Sequence, residues 1–293
     1  MASLRSAAER TWGSGLLQAS DIVFGYGRAQ VLRGVSVSIP SGGFVGILGP
    51  NGSGKTTLLK VLAGTLRAAG GRVTLDGRAI ADVPRTALAR RMAVVPQETH
   101  LAFDYSVLEV VLMGRYPHLG AFEVEGPGDF TIARDALAAT GTLDFEDRAF
   151  ETLSGGEKQR VIIAAALAQI DATRHRSSGL AAAAESILLL DEPTAALDLA
   201  YQIELAALLR DLQARLPITV VVSTHDLNFA ASLCRSLVLL KSSAVLASGN
   251  TDDVLTPENV RQLYGVHADV HRHASTGRLV VVPLGRAADG PRS

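Results

Sequence analysis

The stretch GPNGSGKTTL, residues 49–58, constrains this chain more than any other. It follows the apolar run FVGIL and opens a pattern that reads as a helix, so three glycines, a lysine and two threonines fall at one strand-to-helix corner. Gly49, Gly54, Lys55 and Thr56 fit the spacing G-x-x-x-x-G-K-[ST]. Glycines at those places let backbone N–H groups turn inward around a phosphate, and the helix that follows presents its positive end to the same anion. Lys55 is expected to reach the β and γ phosphates of a nucleotide. The Thr56 hydroxyl is expected to ligate Mg2+, which takes hard oxygen donors in an octahedron. Pro50, Asn51, Gly52, Ser53 and Thr57 complete the expected nucleotide-binding loop.

A phosphate loop that hydrolyses its nucleotide needs a carboxylate at the end of another buried strand, and ILLLDE at residues 187–192 supplies one. Asp191 is expected to hold the metal through water, and Glu192, one residue beyond the strand, to polarise a water for in-line attack on the γ-phosphorus. The two elements together define a nucleotide hydrolase without choosing its family.

Composition narrows the partners. A chain of 293 residues can bury a substantial core, as one large domain or two modest ones. Its 28 Lys and Arg nearly cancel 29 Asp and Glu, which leaves no electrostatic footprint for nucleic acid. The single cysteine, Cys234, has no intrachain partner for a disulfide. The longest apolar run, residues 161–168, is far below the roughly 18 residues of a membrane span. Residues 1–15 read as a disordered tail, with Arg5, Arg10 and scattered Ala and Ser giving a faint transit-peptide character.

Apolar runs at 43–48, 92–95, 187–190, 218–223 and 237–240 mostly end at polar or glycine-rich corners followed by helix-like segments, the alternation of a parallel sheet flanked by helices. Residues 22–26 and 31–39 alternate apolar and polar around glycines and predict a small antiparallel sheet. Between 98 and 168 the strand signal weakens, and 107–113 and 131–139 carry helical spacing, which predicts an inserted helical subdomain. Residues 171–186 are charged, then alanine-rich, and read as a solvated loop.

LSGGEKQR at 153–160, followed by VIIAAALAQ, resembles the LSGGQ-type signature of ABC ATPases. Physically, Ser154 and the N–H groups of Gly155 and Gly156, with Glu157 in the same turn, cap a helix whose positive end can face a phosphate. The resemblance implies that this cap meets the γ-phosphate held by a second copy, so that two nucleotides are sandwiched in a head-to-tail homodimer. It further implies that Tyr26 stacks on adenine, that Gln97 in VVPQET senses the γ-phosphate and magnesium, and that Asp198 in AALD contacts the opposite copy. His225 in VVVSTHD would then be the switch histidine that orients the attacking water. The implied fold is α/β: a P-loop NTPase core of the RecA type with a small antiparallel β subdomain and the helical insertion. The likeness spans about 16–265 and leaves 266–293 as an extension; one departure is the 16 residues between Ile170 and Ile187, where only a few are expected.

VLEVVLMGRYPHLG, residues 107–120, resembles the detached ATPase subunits of iron-siderophore, haem and cobalamin importers, and so does the C-terminal ASGNTDDVLTPENVRQLYGVHADV. That branch implies an ATPase at the cytoplasmic face of the inner membrane. It would be peripheral to an integral-membrane permease served by a substrate-binding protein, with Arg115, Tyr116, Pro117 and His118 near the permease or supporting that surface. An exporter subunit and a soluble, non-transport ABC ATPase are the alternatives. His267, His271 and His273 lie within seven residues but show no supporting carboxylate pattern, and they read as exposed tail histidines.

Overall fold

A computed structural model describes residues 15–99, 101–173, 185–195 and 197–287. Of the expected tail at 1–15, residues 1–14 lie outside the described residues, as do residues 174–184 of the loop at 171–186, whose last residue, Ser186, already belongs to a strand. The chain divides into two compact units. The first comprises residues up to Pro40, Phe44–Ala79 and Val222 onward; the second comprises Ser41–Gly43 and Ile80–Val221.

The first unit opens with β1 (Leu17–Tyr26) and β2 (Ala29–Ile39), then β3 (Phe44–Leu48), α1 (Lys55–Leu62), β4 (Gly70–Leu75) and the two-residue β5 (Arg78–Ala79). β1 and β2 form the antiparallel pair expected from their alternation, and with β4 and β5 they make a four-stranded sheet of order β2-β1-β4-β5. In register, Leu17 lies opposite Ile39 on one side and Leu75 on the other, so the apolar positions of three strands share one buried face. A bulge between Ala19 and Ile22 places Asp21 at φ 51.

The second unit holds α2 (Arg85–Ala89), β6 (Met92–Val95), α3 (Val107–Leu112), α4 (Pro127–Thr140), α5 (Gly155–Gln169), β7 (Ser186–Asp191), α6 (Leu199–Arg215) and most of β8 (Ile218–Thr224). β6 and β7 run parallel, Met92 opposite Ile187 and Val95 opposite Leu190, with β8 on the far side of β7. All six residues of β7 are buried, which requires cover on both faces and accounts for its uninterrupted apolar text. α3 and α4 pack on α5 through Val107, Val110, Val111, Ile132, Ala136 and Leu137. Ser106 starts α3 with a reciprocal cap: Glu109 N–H donates to its hydroxyl at 3.2 Å, and its own N–H donates to the Glu109 carboxylate at 2.7 Å.

Back in the first unit come α7 (Leu227–Leu233), β9 (Ser236–Lys241), β10 (Ala244–Asn250), α8 (Thr251–Val254), α9 (Pro257–Tyr264), β11 (Val266–Arg272) and β12 (Leu279–Arg286). Here β3 runs parallel to β9, Val45 opposite Ser236, with the strands ordered β10-β9-β3. β10 is an antiparallel edge, joined to β9 through Ser242 and Ser243 at φ 47 and 72. β11 and β12 form a separate antiparallel hairpin; β11 packs on α9 and β12 on α7. Cys234, at the end of α7, is buried, and its thiol pKa is pushed up to about 12 by burial.

Candidate nucleotide-binding and hydrolysis residues

β3 is buried along its whole length and delivers the chain to Gly49. A β-carbon on Gly49 would lie 2.3 Å from the Leu240 carbonyl oxygen and 2.5 Å from Ser53 Oγ, so no other residue fits that corner without displacing backbone. Gly52 and Gly54 adopt φ 77 and 103, conformations that strain a residue with a β-carbon. Ser53 N–H closes the turn onto the Pro50 carbonyl at 3.2 Å. Lys55 is only 4% exposed, and its ammonium folds back over the loop, donating to the carbonyls of Gly49 at 2.9 Å and Pro50 at 3.2 Å. The Ser53 hydroxyl is buried without a hydrogen-bond partner. α1 has no acidic residue in its first turn, so nothing on the helix neutralises its positive end. A buried cation, an unanswered hydroxyl and an uncompensated helix terminus at one glycine corner suit an anion, and the loop fits a phosphate chain. The same unit carries Tyr26, 53% exposed with its ring edge-on to Phe24 at 5.0 Å, and His225, exposed one residue past β8.

The second unit carries the expected acids. Asp191 is the last residue of β7 and is buried; Glu192 follows at φ 43, a left-handed conformation unusual for a glutamate. Gln97 lies exposed two residues beyond β6. Ser154 caps α5 in the same reciprocal manner as Ser106 caps α3: Glu157 N–H donates to its hydroxyl at 3.3 Å, and its N–H donates to the Glu157 carboxylate at 2.7 Å. That backbone donor, with the Ser154 hydroxyl, holds the Glu157 carboxyl below its ordinary value. Glu157 therefore shapes the cap, and the Gly155 face of the helix terminus stays exposed. Asp198 caps α6 by accepting from Tyr201 N–H at 3.0 Å; Ala196 lies outside the described residues. Oxygen donors that could hold Mg2+ are the Thr56 hydroxyl in the first unit, and the Gln97 amide and Asp191 carboxylate in the second; all three are hard ligands suited to that ion.

Residues 32–172 match the family profile described as ABC transporter. The chain is 42% identical over 278 residues to the hemin import ATP-binding protein HmuV of Gloeobacter violaceus, covering 93% of this chain and 96% of that one. The chain belongs to the ABC transporter family. It is also 36% identical over 272 residues to the ferric enterobactin transport ATP-binding protein FepC of Escherichia coli, covering 93% and 95% of the two chains. Among solved structures, a metal-chelate type ABC transporter in an inward-facing conformation matches with TM-score 0.77 and 30% identity, over 93% of this chain and 98% of that one. This ABC subunit is thus an ATP-binding ATPase coupled to transport, of the importer branch, and subunits of that kind work with a membrane permease. Among its own described residues no helix is long and apolar enough to cross a membrane.

One feature of the ABC subunit carries no signal in its sequence. A β-carbon on Gly156, the second signature glycine, would meet the Tyr201 ring at 2.2 to 2.8 Å, so the signature helix starts directly under an aromatic ring from α6. Nothing in LDLAYQ marks that tyrosine in advance. Residues 115–118, singled out from the sequence, divide by exposure. Tyr116 is 59% exposed, but Arg115 is 3% exposed and inward, donating to the Asp129 carboxylate at 2.9 Å and the Ala168 carbonyl at 2.6 Å. His118 Nε2 lies 2.7 Å from the Gln169 carbonyl. Gly114 permits this, since a β-carbon there would sit 2.3 Å from the Ala165 carbonyl oxygen. Arg115 thus points into the unit, while the Tyr116 side chain is exposed. At the C-terminus, His271 pairs with Asp269 at 2.8 Å and His273 with the Ser275 hydroxyl at 3.1 Å. Among the described residues no group of three or more His, Cys, Asp or Glu gathers in a metal-holding arrangement.

Proposed function

We propose that this ABC subunit hydrolyses ATP to power import of a metal chelate through a separate permease, as a homodimer at the cytoplasmic face of the inner membrane, with a binding protein delivering the cargo. The observation that carries the reading is likeness along nearly the whole chain to import subunits named for hemin and ferric enterobactin, in a chain that carries each residue expected to serve hydrolysis. Hemin also names the import relatives of Bordetella pertussis and Plesiomonas shigelloides, and cobalamin that of Halobacterium salinarum, so haem, iron-siderophore and cobalamin all stand as cargo of this class.

In this reading Lys55 and the backbone N–H groups of residues 51–57 hold the phosphates, and Tyr26 stacks on adenine. Thr56, Gln97 and, through water, Asp191 would hold Mg2+, which would supply charge neutralisation at the phosphates. The Glu192 carboxylate accepts a proton from water as the water oxygen bonds to the γ-phosphorus and the bond to the bridging oxygen breaks; His225 orients that water. Ser154, Gly155 and Gly156 of the second copy meet the γ-phosphate, and Asp198 contacts the opposite copy. Closure over ATP and release after hydrolysis move the permease between its access states.

The test is to express a tagged Glu192→Gln form in its native cells, trap it with ATP, solubilise the membranes and identify what co-purifies by mass spectrometry. A polytopic permease with a chelate-binding protein is the expected result. An exporter-type membrane partner, or ribosomes and DNA ends without a permease, sinks the import reading and leaves the ATPase chemistry standing.

A further inference from the structure

β8 ends at Thr224, and the chain passes through His225 and Asp226 into α7. The flanks of this short connection are tied locally. Asp226 N–H donates to Thr224 Oγ1 at 3.0 Å, and the Asp226 carboxylate caps α7 by accepting from the N–H groups of Asn228 and Phe229 at 2.9 Å each. The His225 carbonyl is reached from far along the chain: the Tyr264 hydroxyl, on the last residue of α9, donates to it at 3.0 Å.

A second tie meets the same segment. Asn228 Nδ2 donates to the Val281 carbonyl at 3.1 Å, and Val281 N–H donates to Asn228 Oδ1 at 2.8 Å, a reciprocal amide pair between α7 and β12. Val281 is buried, and Gly265 at φ 69 turns α9 straight into β11, so Tyr264 and Val281 belong to one folded C-terminal element. His225 is exposed on this two-residue connection, and a small rotation of its peptide becomes a large displacement at the imidazole, where catalysis tolerates little.

We infer that Tyr264 is a positioning residue for hydrolysis: its hydroxyl fixes the His225 peptide, and the C-terminal element from α9 to β12 braces the connection at two points. This rests on the reading of His225 as the group that orients the attacking water. Tyr264→Phe removes one oxygen and keeps the ring, so the thermal midpoint is expected to stay near the wild-type value.

The experiment measures ATP hydrolysis by the full-length chain as wild type, Tyr264→Phe, His225→Ala and the double variant, with slow forms followed in single-turnover reactions. Tyr264→Phe is expected to lower kcat about three- to tenfold, the worth of one hydrogen bond, with KM for ATP unchanged. The double variant is expected to be no slower than His225→Ala. Wild-type turnover by Tyr264→Phe overturns the inference. So does an equal further loss in the His225→Ala background, which marks a general structural effect. An active His225→Ala variant removes the reading of His225 itself, and that result is visible without any Tyr264 variant.

Discussion

Glu192 holds a backbone conformation that costs a residue with a β-carbon roughly 1–3 kcal/mol, directly beyond the strand that ends in Asp191. Strain at the position proposed for the general base separates stability from turnover. Glu192→Gln keeps the β-carbon, so its midpoint is expected to match wild type while hydrolysis falls about 10²- to 10⁴-fold. Glu192→Gly loses turnover equally but is expected to be more stable by up to about 1 kcal/mol, read from denaturant titration. Gly156 sets the opposite limit. With Tyr201 ring atoms 2.2 Å from where a β-carbon would stand, Gly156→Ala is expected to destabilise by roughly 1–3 kcal/mol, and Tyr201→Ala to restore part of that loss in the double variant. The sequence marks Gly156 as a residue that bares N–H groups to phosphate; it cannot show that the glycine also makes room for a ring 45 positions later.

The buried strands were legible because a strand covered on both faces must be written in unbroken apolar text, as β7 and β8 are. The motif-bearing corners were legible because phosphate chemistry permits few residue types at fixed spacing. Hairpins were harder. The β9–β10 turn runs through Ser242 and Ser243 at positive φ, without the Asn-Gly or Asp-Gly text that announces such turns. Exposed residues dominate the end of β12, so no two-residue alternation appears there. Helical spacing is legible only as far as 113; beyond α3, Met113–His118 tightens into a 3-10 turn that brings Gly114 against α5 and lets His118 reach its end. That last contact makes a pH prediction. Burial is the largest influence on His118 and pushes its pKa below the ordinary 6.5, outweighing the Gln169 carbonyl that favours the charged form. The unfolded chain therefore takes up a proton as pH falls through about 6.5 before the folded chain does, so this residue costs stability below that pH and nothing above it. His118→Gln is expected to lose less thermal stability than wild type between pH 7.5 and 5.5.

Taken entire, the chain carries its phosphate loop, Tyr26 and His225 in one compact unit and Gln97, the signature cap, Asp191, Glu192 and Asp198 in the other. A subunit whose signature cap serves a second copy should hydrolyse ATP cooperatively. The expected ATP dependence has a Hill coefficient above 1, with specific activity falling on dilution; hyperbolic kinetics independent of protein concentration would count against the homodimer. The lone thiol has a use beyond its packing. Cys234 is buried, and its pKa near 12 leaves almost no thiolate at neutral pH, so in the native state it is blind to maleimides and disulfide reagents. Any cysteine introduced at the surface would then be the only one to react. The wild-type chain is in effect a ready background for single-site fluorescent and spin labels, while slow labelling of Cys234 itself clocks how often the unit around it opens.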